Sequence, residues 1–363
     1  MSAAPTVDRV DVEVYTVDTS GPEADGTLHW DSTTAVVVHL VAGEVAGIGW
    51  TYSSSAAAAV IRDELAGVII GRDPMDIAGA WEAMRRQCRN FGTKGLVMQA
   101  LSAVDIALWD LKARLRDQPL SELFGQTRAS VPIYGSGGFT TLTDSELAHQ
   151  VETWQTAGCA AMKIKIGQDW GAEISRDLQR VEQLREFAGA GTELMVDANG
   201  GYTVGQARRV GAALDDLDVV WFEEPVSSDD VDGLRSVRDA IRCDVAAGEY
   251  VADLYDARQL ALVVDCLQLD ATRCGGYTGW LAGAAFATSR NLEVSAHCAP
   301  ALHVPVASAI SNLRHLEYFI DHTRLEPELF EGIPYPTGGT LAPNTTRPGH
   351  GMAIASTAER YRR

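Results

Sequence analysis

The stretch MVDANG at residues 195–200 decides the fold, because a short apolar run there ends in an acidic residue followed by a turn. The stretch WFEEP at residues 221–225 repeats this pattern, and a helix-like segment follows each run. Similar runs end near Lys165, Asp197, Glu223, Glu249, Asp270, His297 and Glu317. Successive ends are 20 to 32 residues apart, a length that suits one strand and one helix. Seven or eight such units predict a parallel barrel with its helices outside.

The chain before this series has a different pattern. Runs rich in β-branched residues at 10–17 and 33–41 predict a small antiparallel sheet. Apolar residues then recur every three or four positions over 97–111, which predicts a helix with one buried face. A new strand-like run begins at residue 131 and ends in a glycine-rich turn, so a second domain begins before it.

We therefore predict three segments. Residues 1–125 form an α+β domain, and residues 126–320 form the barrel that carries the active site. Residues 321–363 are too long for another simple strand and helix unit and contain five prolines. This last segment is expected to pack back on the first domain.

Composition excludes several classes of protein. The chain has 363 residues, of which 46% are hydrophobic, and 30 basic against 49 acidic residues give a net charge of −19. This charge repels nucleic acid. The longest apolar stretch, 35–48, is interrupted by His39 and Glu44 and is too short to span a bilayer. The six cysteines have no C-x-x-C spacing, which indicates reduced thiols, and we expect a cytoplasmic protein.

Three acidic residues are candidate metal ligands. Asp197, Glu223 and Glu249 end successive predicted strands, and the carboxyl ends of barrel strands converge on one mouth. Three unpaired carboxylates would repel one another there. A hard divalent cation with oxygen ligands removes that repulsion, which favours Mg²⁺ over zinc or copper.

Two pairs of residues are candidate acids and bases. Lys163 and Lys165 are two positions apart on a strand, so both amines point into the barrel, where burial and neighbouring positive charge lower an amine's pKa. His297 ends a strand one unit after Asp270. A carboxylate that accepts a hydrogen bond from one imidazole nitrogen fixes the tautomer and raises the basicity of the other nitrogen. Motifs of dinucleotide, ATP, metalloprotease and serine-hydrolase sites are absent from the sequence.

As an ordered set, these residues resemble the enolase superfamily, and within it the mandelate racemase subgroup. The resemblance extends over nearly the whole chain. It implies a modified TIM barrel, (β/α)7β, with an N-terminal α+β capping domain. It rests on Lys163-Ile164-Lys165, Asp197-Ala198-Asn199-Gly200, Glu223-Glu224-Pro225, Gly248-Glu249, Asp270, His297 and Glu317.

The resemblance also implies roles for these residues. Asp197, Glu223 and Glu249 would hold Mg²⁺. Lys165 would be the base on one face of the substrate, and His297, paired with Asp270, would be the acid or base on the other face.

The remaining roles concern the substrate. Lys163 would contact its carboxylate and lower the pKa of Lys165, and a protonated Glu317 would hydrogen-bond a carboxylate oxygen. Asn199 is a further candidate contact. The capping-domain segment 21–30, with His29 and Trp30, is the candidate lid over the substrate, although an exposed turn explains its composition equally well.

The implied chemistry is abstraction of the proton α to a carboxylate through an enediolate. Most of the subgroup consists of acid-sugar dehydratases, so dehydration to a 2-keto-3-deoxy acid is the favoured reaction. Racemisation, epimerisation and cycloisomerisation remain open, and a non-catalytic binding barrel is a remote alternative. The expected partner is a small hydroxylated carboxylate substrate. No nucleic-acid or membrane partner is expected, and we expect the protein to form a homo-oligomer.

Overall fold

A computed structural model describes residues 5–363, and the chain begins with a three-stranded antiparallel sheet in the order β1-β2-β3. Its strands are β1 (Arg9–Ala24), β2 (His29–Ala42) and β3 (Val45–Tyr52). Strands β1 and β2 extend well beyond the predicted ranges 10–17 and 33–41. The segment 21–30 is therefore mostly the end of a β-ribbon, in which Glu23 pairs with Trp30.

Helices cover one face of this sheet. They are α1 (Ala56–Val60), a π-helical turn (Ile61–Leu65), α2 (Ala66–Ile69), α3 (Ile77–Gln87), a 3-10 turn (Cys88–Asn90), α4 (Leu96–Leu115) and α5 (Leu120–Phe124). The second half of β2, from Ala35 onward, is largely apolar without alternation because both of its faces are buried. Val36 and Val38 pack in the capping core, whereas Val37 packs in the core that continues into the barrel.

The long helix α4 lies directly on β3, and two glycines permit this approach. A Cβ atom on Gly47 would lie 2.4 Å from the backbone nitrogen of Leu111. A Cβ atom on Gly49 would lie 2.4 Å from the carbonyl oxygen of Ala103. Gly47 and Gly49 on β3 therefore allow α4 to pack at this short distance from the sheet.

The second part of the chain is a closed parallel barrel. Its strands are β4 (Val131–Gly137), β5 (Ala161–Lys165), β6 (Glu193–Asp197), β7 (Val219–Glu223), β8 (Asp244–Ala247), β9 (Cys266–Leu269), β10 (Glu293–Ala296) and β11 (Leu313–Phe319). Each strand pairs with the next, and β11 pairs with β4 to close the sheet. Seven strand-to-strand connections carry a helix, which gives the (β/α)7β arrangement.

The helices of this part form the outer layer. They are α6 (Asp144–Ala157), α7 (Gln168–Gly171), α8 (Ile174–Ala188), α9 (Val204–Asp216), α10 (Val231–Arg238), α11 (Leu254–Leu260), α12 (Gly276–Thr288), α13 (Pro300–Ala307) and α14 (Ile320–Leu329). Capping boxes begin α6 at Thr143 and α9 at Thr203. Within the described residues, no helix is both long enough and apolar enough to cross a membrane.

The barrel interior below the mouth is filled with side chains. Tyr134, Met195, Trp221 and Cys266 are buried there in one apolar cluster. All six cysteines are buried and none forms a disulfide. The polar strand ends lie at the mouth, above this mostly apolar layer, in which His315 also packs against Tyr134 and Trp221.

The C-terminal segment contributes β12 (Phe330–Glu331), β13 (Thr340–Leu341), β14 (Ala353–Ile354) and a 3-10 turn (Ser356–Tyr361). It contacts the capping domain through Asp110, which is fully buried on α4. The two carboxylate oxygens of Asp110 accept hydrogen bonds from the backbone N–H groups of Ile48 and His350, both at 2.9 Å. Arg114 donates to the same carboxylate at 2.6 Å.

Replacing Asp110 with alanine is expected to lower the free energy of unfolding by about 3 kcal/mol, because buried donors on β3, α4 and the C-terminal segment lose their acceptor. Urea denaturation of this variant beside Asp63→Ala, an exposed acidic residue of the same domain, measures the difference. Equal stability of the two variants would contradict the role given to Asp110.

Candidate active site

The carboxyl ends of the barrel strands bring the predicted acidic residues together. Asp197 and Glu223 are the last residues of β6 and β7 and are partners in the sheet register. Glu249 lies two residues after the end of β8, just beyond Gly248, whose backbone passes close to Gln268. One oxygen from each carboxylate lies within 4.8 Å of the others, and all three side chains are buried.

This acidic triad, Asp197, Glu223 and Glu249, fits a hard divalent cation. All of its ligand atoms are carboxylate oxygens, the donors that Mg²⁺ prefers. Glu249 Oε2 is buried and accepts no hydrogen bond, and its contact with His297 Nε2, 3.4 Å away, is an ion pair only when the imidazole is protonated. The donor set and this oxygen support the predicted metal site.

Lys163 lies at the centre of the site and is fully buried. Its Nζ is 2.6 Å from Glu223 Oε1 and 2.9 Å from Glu317 Oε1. It also donates to the hydroxyl of Tyr134 at 3.3 Å. Lys165, two residues further along β5, has its Nζ 2.5 Å from Asp197 Oδ2. Both amines point into the mouth, as the two-residue spacing predicts.

The ionisation of these groups differs from the sequence-based expectation. Burial favours the neutral amine of Lys165, but the adjacent carboxylate of Asp197 outweighs it and raises the pKa of Lys165. Burial likewise opposes ionisation of Glu317, but Lys163 and His297 hold the pKa of Glu317 well below its ordinary value. Both directions are opposite to those predicted from the sequence, because each group has a close partner of opposite charge.

His297 and Asp270 form the expected pair. His297 Nδ1 is 2.9 Å from Asp270 Oδ2, and these residues directly follow β10 and β9. Asp270 Oδ1 also accepts a hydrogen bond from the backbone N–H of Thr272 at 2.7 Å, which fixes the carboxylate. Nε2 of His297 is left facing the mouth, 3.4 Å from Glu249 Oε2.

A cavity of about 300 Å³ brings the two candidate bases together. Lys165, His297 and Glu249 line it from the barrel, and Trp30 and Tyr52 line it from the capping domain. A molecule in this cavity therefore meets an amine, an imidazole and the edge of the acidic triad at once.

The predicted substrate contacts fall in different places. Asn199 lines the cavity with a positive φ of 45°, and its Oδ1 is buried without a partner. Trp30 also lines the cavity, and its Nε1 donates to Glu23 Oε2 at 2.8 Å. His29 is exposed and lies outside the lining, because neighbouring side chains on a strand point to opposite faces. His29 therefore does not contact this cavity.

Several residues of the site were not identified from the sequence. Ser136 donates to Glu317 Oε1 at 2.6 Å, and the backbone N–H of Cys298 donates to Glu317 Oε2 at 2.8 Å. Arg273 Nη1 donates to Glu249 Oε1 at 2.9 Å. The signals available were the position of Ser136 at the glycine-rich end of β4 and the position of Arg273 three residues after Asp270.

Two protein-family models match the chain. The model of the mandelate racemase/muconate lactonizing enzyme N-terminal domain matches residues 11–125. The model described as enolase C-terminal domain-like matches residues 146–358. Together these matches include the capping domain, most of the barrel and much of the C-terminal segment.

Known proteins are similar over most of their length. A crystal structure of a mandelate racemase/muconate lactonizing enzyme-like protein from Rubrobacter xylanophilus has a TM-score of 0.96 and 44% identity, covering 99% of this chain and 100% of that chain. The 3,6-anhydro-α-L-galactonate cycloisomerase of Streptomyces coelicolor is 34% identical over 317 residues, 85% of each chain.

A dehydratase is nearly as similar to this chain in sequence as the cycloisomerase is. The L-talarate/galactarate dehydratase of Salmonella typhimurium is 32% identical over 279 residues, 75% of this chain and 69% of that one. Its crystal structure liganded with Mg and L-lyxarohydroxamate has a TM-score of 0.91 and 25% identity, covering 99% of this chain and 94% of that chain.

Proposed function

Because the chain belongs to the mandelate racemase/muconate lactonizing enzyme family of the enolase superfamily, we propose that it removes the proton α to the carboxylate of an acid sugar and dehydrates the resulting enediolate to a 2-keto-3-deoxy acid. The observation that carries this proposal is the placement of Lys165 and His297 on one cavity beside the acidic triad. Its relatives are dehydratases, cycloisomerases and epimerases, so the chain is an enzyme.

The metal centre is assigned to Asp197, Glu223 and Glu249. Mg²⁺ held there would stabilise the negative charge that develops on the substrate carboxylate when the α-proton leaves. Lys163 adds a fixed positive charge next to Glu223 and Glu317. These charges act more strongly on the enediolate than on the substrate, which is the condition for raising the rate.

Lys165 and His297 each carry out one of the two proton transfers. One removes the α-proton from its face of the substrate. In dehydration, the other donates a proton to the departing β-hydroxyl group, so that water leaves and the enol becomes the keto acid. Asp270 holds His297 Nδ1, which directs Nε2 towards the cavity for this transfer.

Two observations favour a hydroxylated substrate. Ser32, Thr33 and Ser53 line the cavity, and their hydroxyl oxygens, which donate to Asp31, Asp321 and Gln99, can still accept hydrogen bonds from a polyol. The dehydratase of Salmonella typhimurium, named for talarate and galactarate, is among the relatives.

Cycloisomerisation is the second candidate. The relative from Streptomyces coelicolor catalyses a cycloisomerisation and is slightly more similar in sequence than the dehydratase. This reaction needs the same enediolate chemistry, and the same pair of acid–base residues can serve it. Racemisation or epimerisation would follow if the second residue returned a proton to the α-carbon.

Product analysis distinguishes these reactions. The Mg²⁺-loaded protein is incubated with a panel of aldarates, hexonates, pentonates and anhydro sugar acids, and the products are identified by NMR. The proposal predicts a 2-keto-3-deoxy acid from at least one aldarate or aldonate. Ring formation or opening without a keto acid would move the assignment to cycloisomerase, and inversion at the α-carbon would move it to epimerase.

Variants of Trp30 and His29 test which face of the β-ribbon binds substrate. The Trp30→Ala variant is expected to raise KM about tenfold, ~1.4 kcal/mol, because an aromatic wall of the cavity is removed. The matched variant His29→Ala alters the outward face of the same strand and is expected to leave KM unchanged. Steady-state kinetics on the substrate found above measures both, and equal effects would contradict the assigned faces.

A further inference from the structure

A second group of potential metal ligands lies at the mouth, beside the acidic triad. His297, Cys298 and Glu317 each offer one ligand atom within 4.8 Å of the other two, and all three residues are buried. His297 Nε2 is 3.3 Å from Cys298 Sγ and 3.7 Å from Glu317 Oε2. This nitrogen, sulfur and oxygen set, termed the thiol cluster, shares no residue with the acidic triad.

The distances suit a small tetrahedral ion. An ion about 2.0–2.3 Å from nitrogen, sulfur and oxygen ligands places those ligands roughly 3.3–3.8 Å apart, the range measured around His297 Nε2. His297 and Cys298 also line the cavity, so a fourth position is accessible to water or to a bound carboxylate.

The backbone holds the cluster in this arrangement. Cys298 and Ala299 have φ values of 50° and 39°, in the left-handed region, so the chain turns sharply after β10. At this turn the N–H of Cys298 donates to Glu317 Oε2 at 2.8 Å, which keeps the carboxylate next to the thiol. The ligand atoms are thus brought together by the fold.

Hydrogen bonds from neighbouring residues orient two of the ligand side chains. Asp270 accepts from His297 Nδ1, so in the neutral imidazole the lone pair lies on Nε2, which accepts from the Cys298 thiol at 3.3 Å. Ser136 holds the other oxygen of Glu317 at 2.6 Å. Carboxylate–histidine–metal arrangements of this kind are typical of zinc sites, where the outer carboxylate increases metal affinity.

We propose that the thiol cluster binds a thiophilic divalent cation, with Zn²⁺ as the best fit, and that this binding inhibits the enzyme. A thiolate and an imidazole select Zn²⁺ over Mg²⁺, whereas the oxygen-only triad suits Mg²⁺. On binding, the S–H bond of Cys298 breaks, a sulfur–metal bond forms, and the proton passes to solvent. No electron transfer is involved.

The inhibition rests on the proposed function, but the binding does not. Metal on Nε2 of His297 occupies the lone pair that would carry a proton to or from substrate. Metal on Glu317 removes an acceptor next to Lys163. Zn²⁺ would therefore suppress turnover even when the acidic triad is saturated with Mg²⁺.

Co²⁺ is the probe for binding, because its thiolate complexes absorb in the near ultraviolet. The Mg²⁺-saturated wild-type protein is titrated with Co²⁺, followed by displacement with Zn²⁺. The proposal predicts a thiolate-to-cobalt absorption band that Zn²⁺ removes, and its loss in Cys298→Ala. The band persists in Cys159→Ala, a cysteine of similar burial outside the cluster. An Asp270→Asn variant, in which all three ligands remain, is expected to bind Co²⁺ at least about tenfold more weakly.

Inhibition is measured with each variant compared with its own rate in saturating Mg²⁺. The Zn²⁺ concentration for half inhibition is expected to rise at least about tenfold in Cys298→Ala and to stay unchanged in Cys159→Ala. Absence of the cobalt band in wild type, or its persistence in Cys298→Ala, would overturn the site whether or not a substrate is known. Equal Zn²⁺ inhibition of wild type and Cys298→Ala would overturn the inhibitory role, because the ion would then act by replacing Mg²⁺ in the triad.

Discussion

Replacing Lys165 with methionine is expected to lower kcat by about 10²–10⁴-fold, the contribution of a positioned general base. The amine lies against Asp197 and lines the cavity, so its removal takes away proton transfer on one face of the substrate. The barrel should remain folded, because methionine keeps the aliphatic length of the side chain. Circular dichroism and thermal unfolding check this point.

Proton exchange in D2O separates the two bases. In Lys165→Met, His297 remains, so exchange should survive only for the substrate stereoisomer whose α-proton faces the imidazole. In His297→Asn the opposite stereoisomer should exchange. Lys112→Met, which changes a lysine of α4 in the capping domain, is the control and should retain full activity. Undiminished turnover in either active-site variant would contradict the two-base assignment.

Replacing Glu223 with glutamine is expected to weaken Mg²⁺ binding at least about 100-fold, ~2.7 kcal/mol, and to stop turnover at physiological Mg²⁺. The substitution keeps the shape of the side chain but replaces one of the three carboxylates of the acidic triad with a neutral amide. Glu223 also accepts from Lys163 at 2.6 Å, so the amide would also disturb this buried ion pair.

Isothermal titration with Mg²⁺ measures this effect without any substrate. Glu193→Gln is the matched control, because Glu193 begins β6 at the opposite end of the barrel from Asp197. Its Mg²⁺ affinity should equal that of the wild type. Unchanged affinity in Glu223→Gln would remove Glu223 from the metal site and leave the acidic triad without its central member.

The barrel and the acidic triad could be predicted because they depend on simple periodicities. Apolar runs that end in Asp197 or Glu223 recur at intervals of one strand and one helix, and parallel strands place their carboxyl ends on one rim. The hydrogen bond between His297 and Asp270 follows from the same geometry on adjacent strands. Neither conclusion requires knowledge of side-chain distances.

Features that depend on contacts between distant segments could not be predicted. The β-ribbon of residues 21–30 forms because Glu23 pairs with Trp30, a register that composition does not specify. The pKa of Lys165 is raised by Asp197 on the next strand, because Asp197 Oδ2 lies 2.5 Å from its Nζ. A sequence pattern does not specify so short a distance. The thiol cluster depends on the left-handed turn at Cys298, which nothing in the local sequence indicates.

The most direct test of the account is proton NMR of the wild-type protein with acid sugars in D2O, with Mg²⁺ and after complete chelation. The account predicts loss of the α-proton signal of at least one acid sugar when Mg²⁺ is present, and no loss after chelation. It also predicts no loss in a Lys165→Met, His297→Asn double variant that still binds Mg²⁺. Exchange that continues undiminished after chelation, or in the double variant, would contradict Mg²⁺-dependent α-proton abstraction by these two residues.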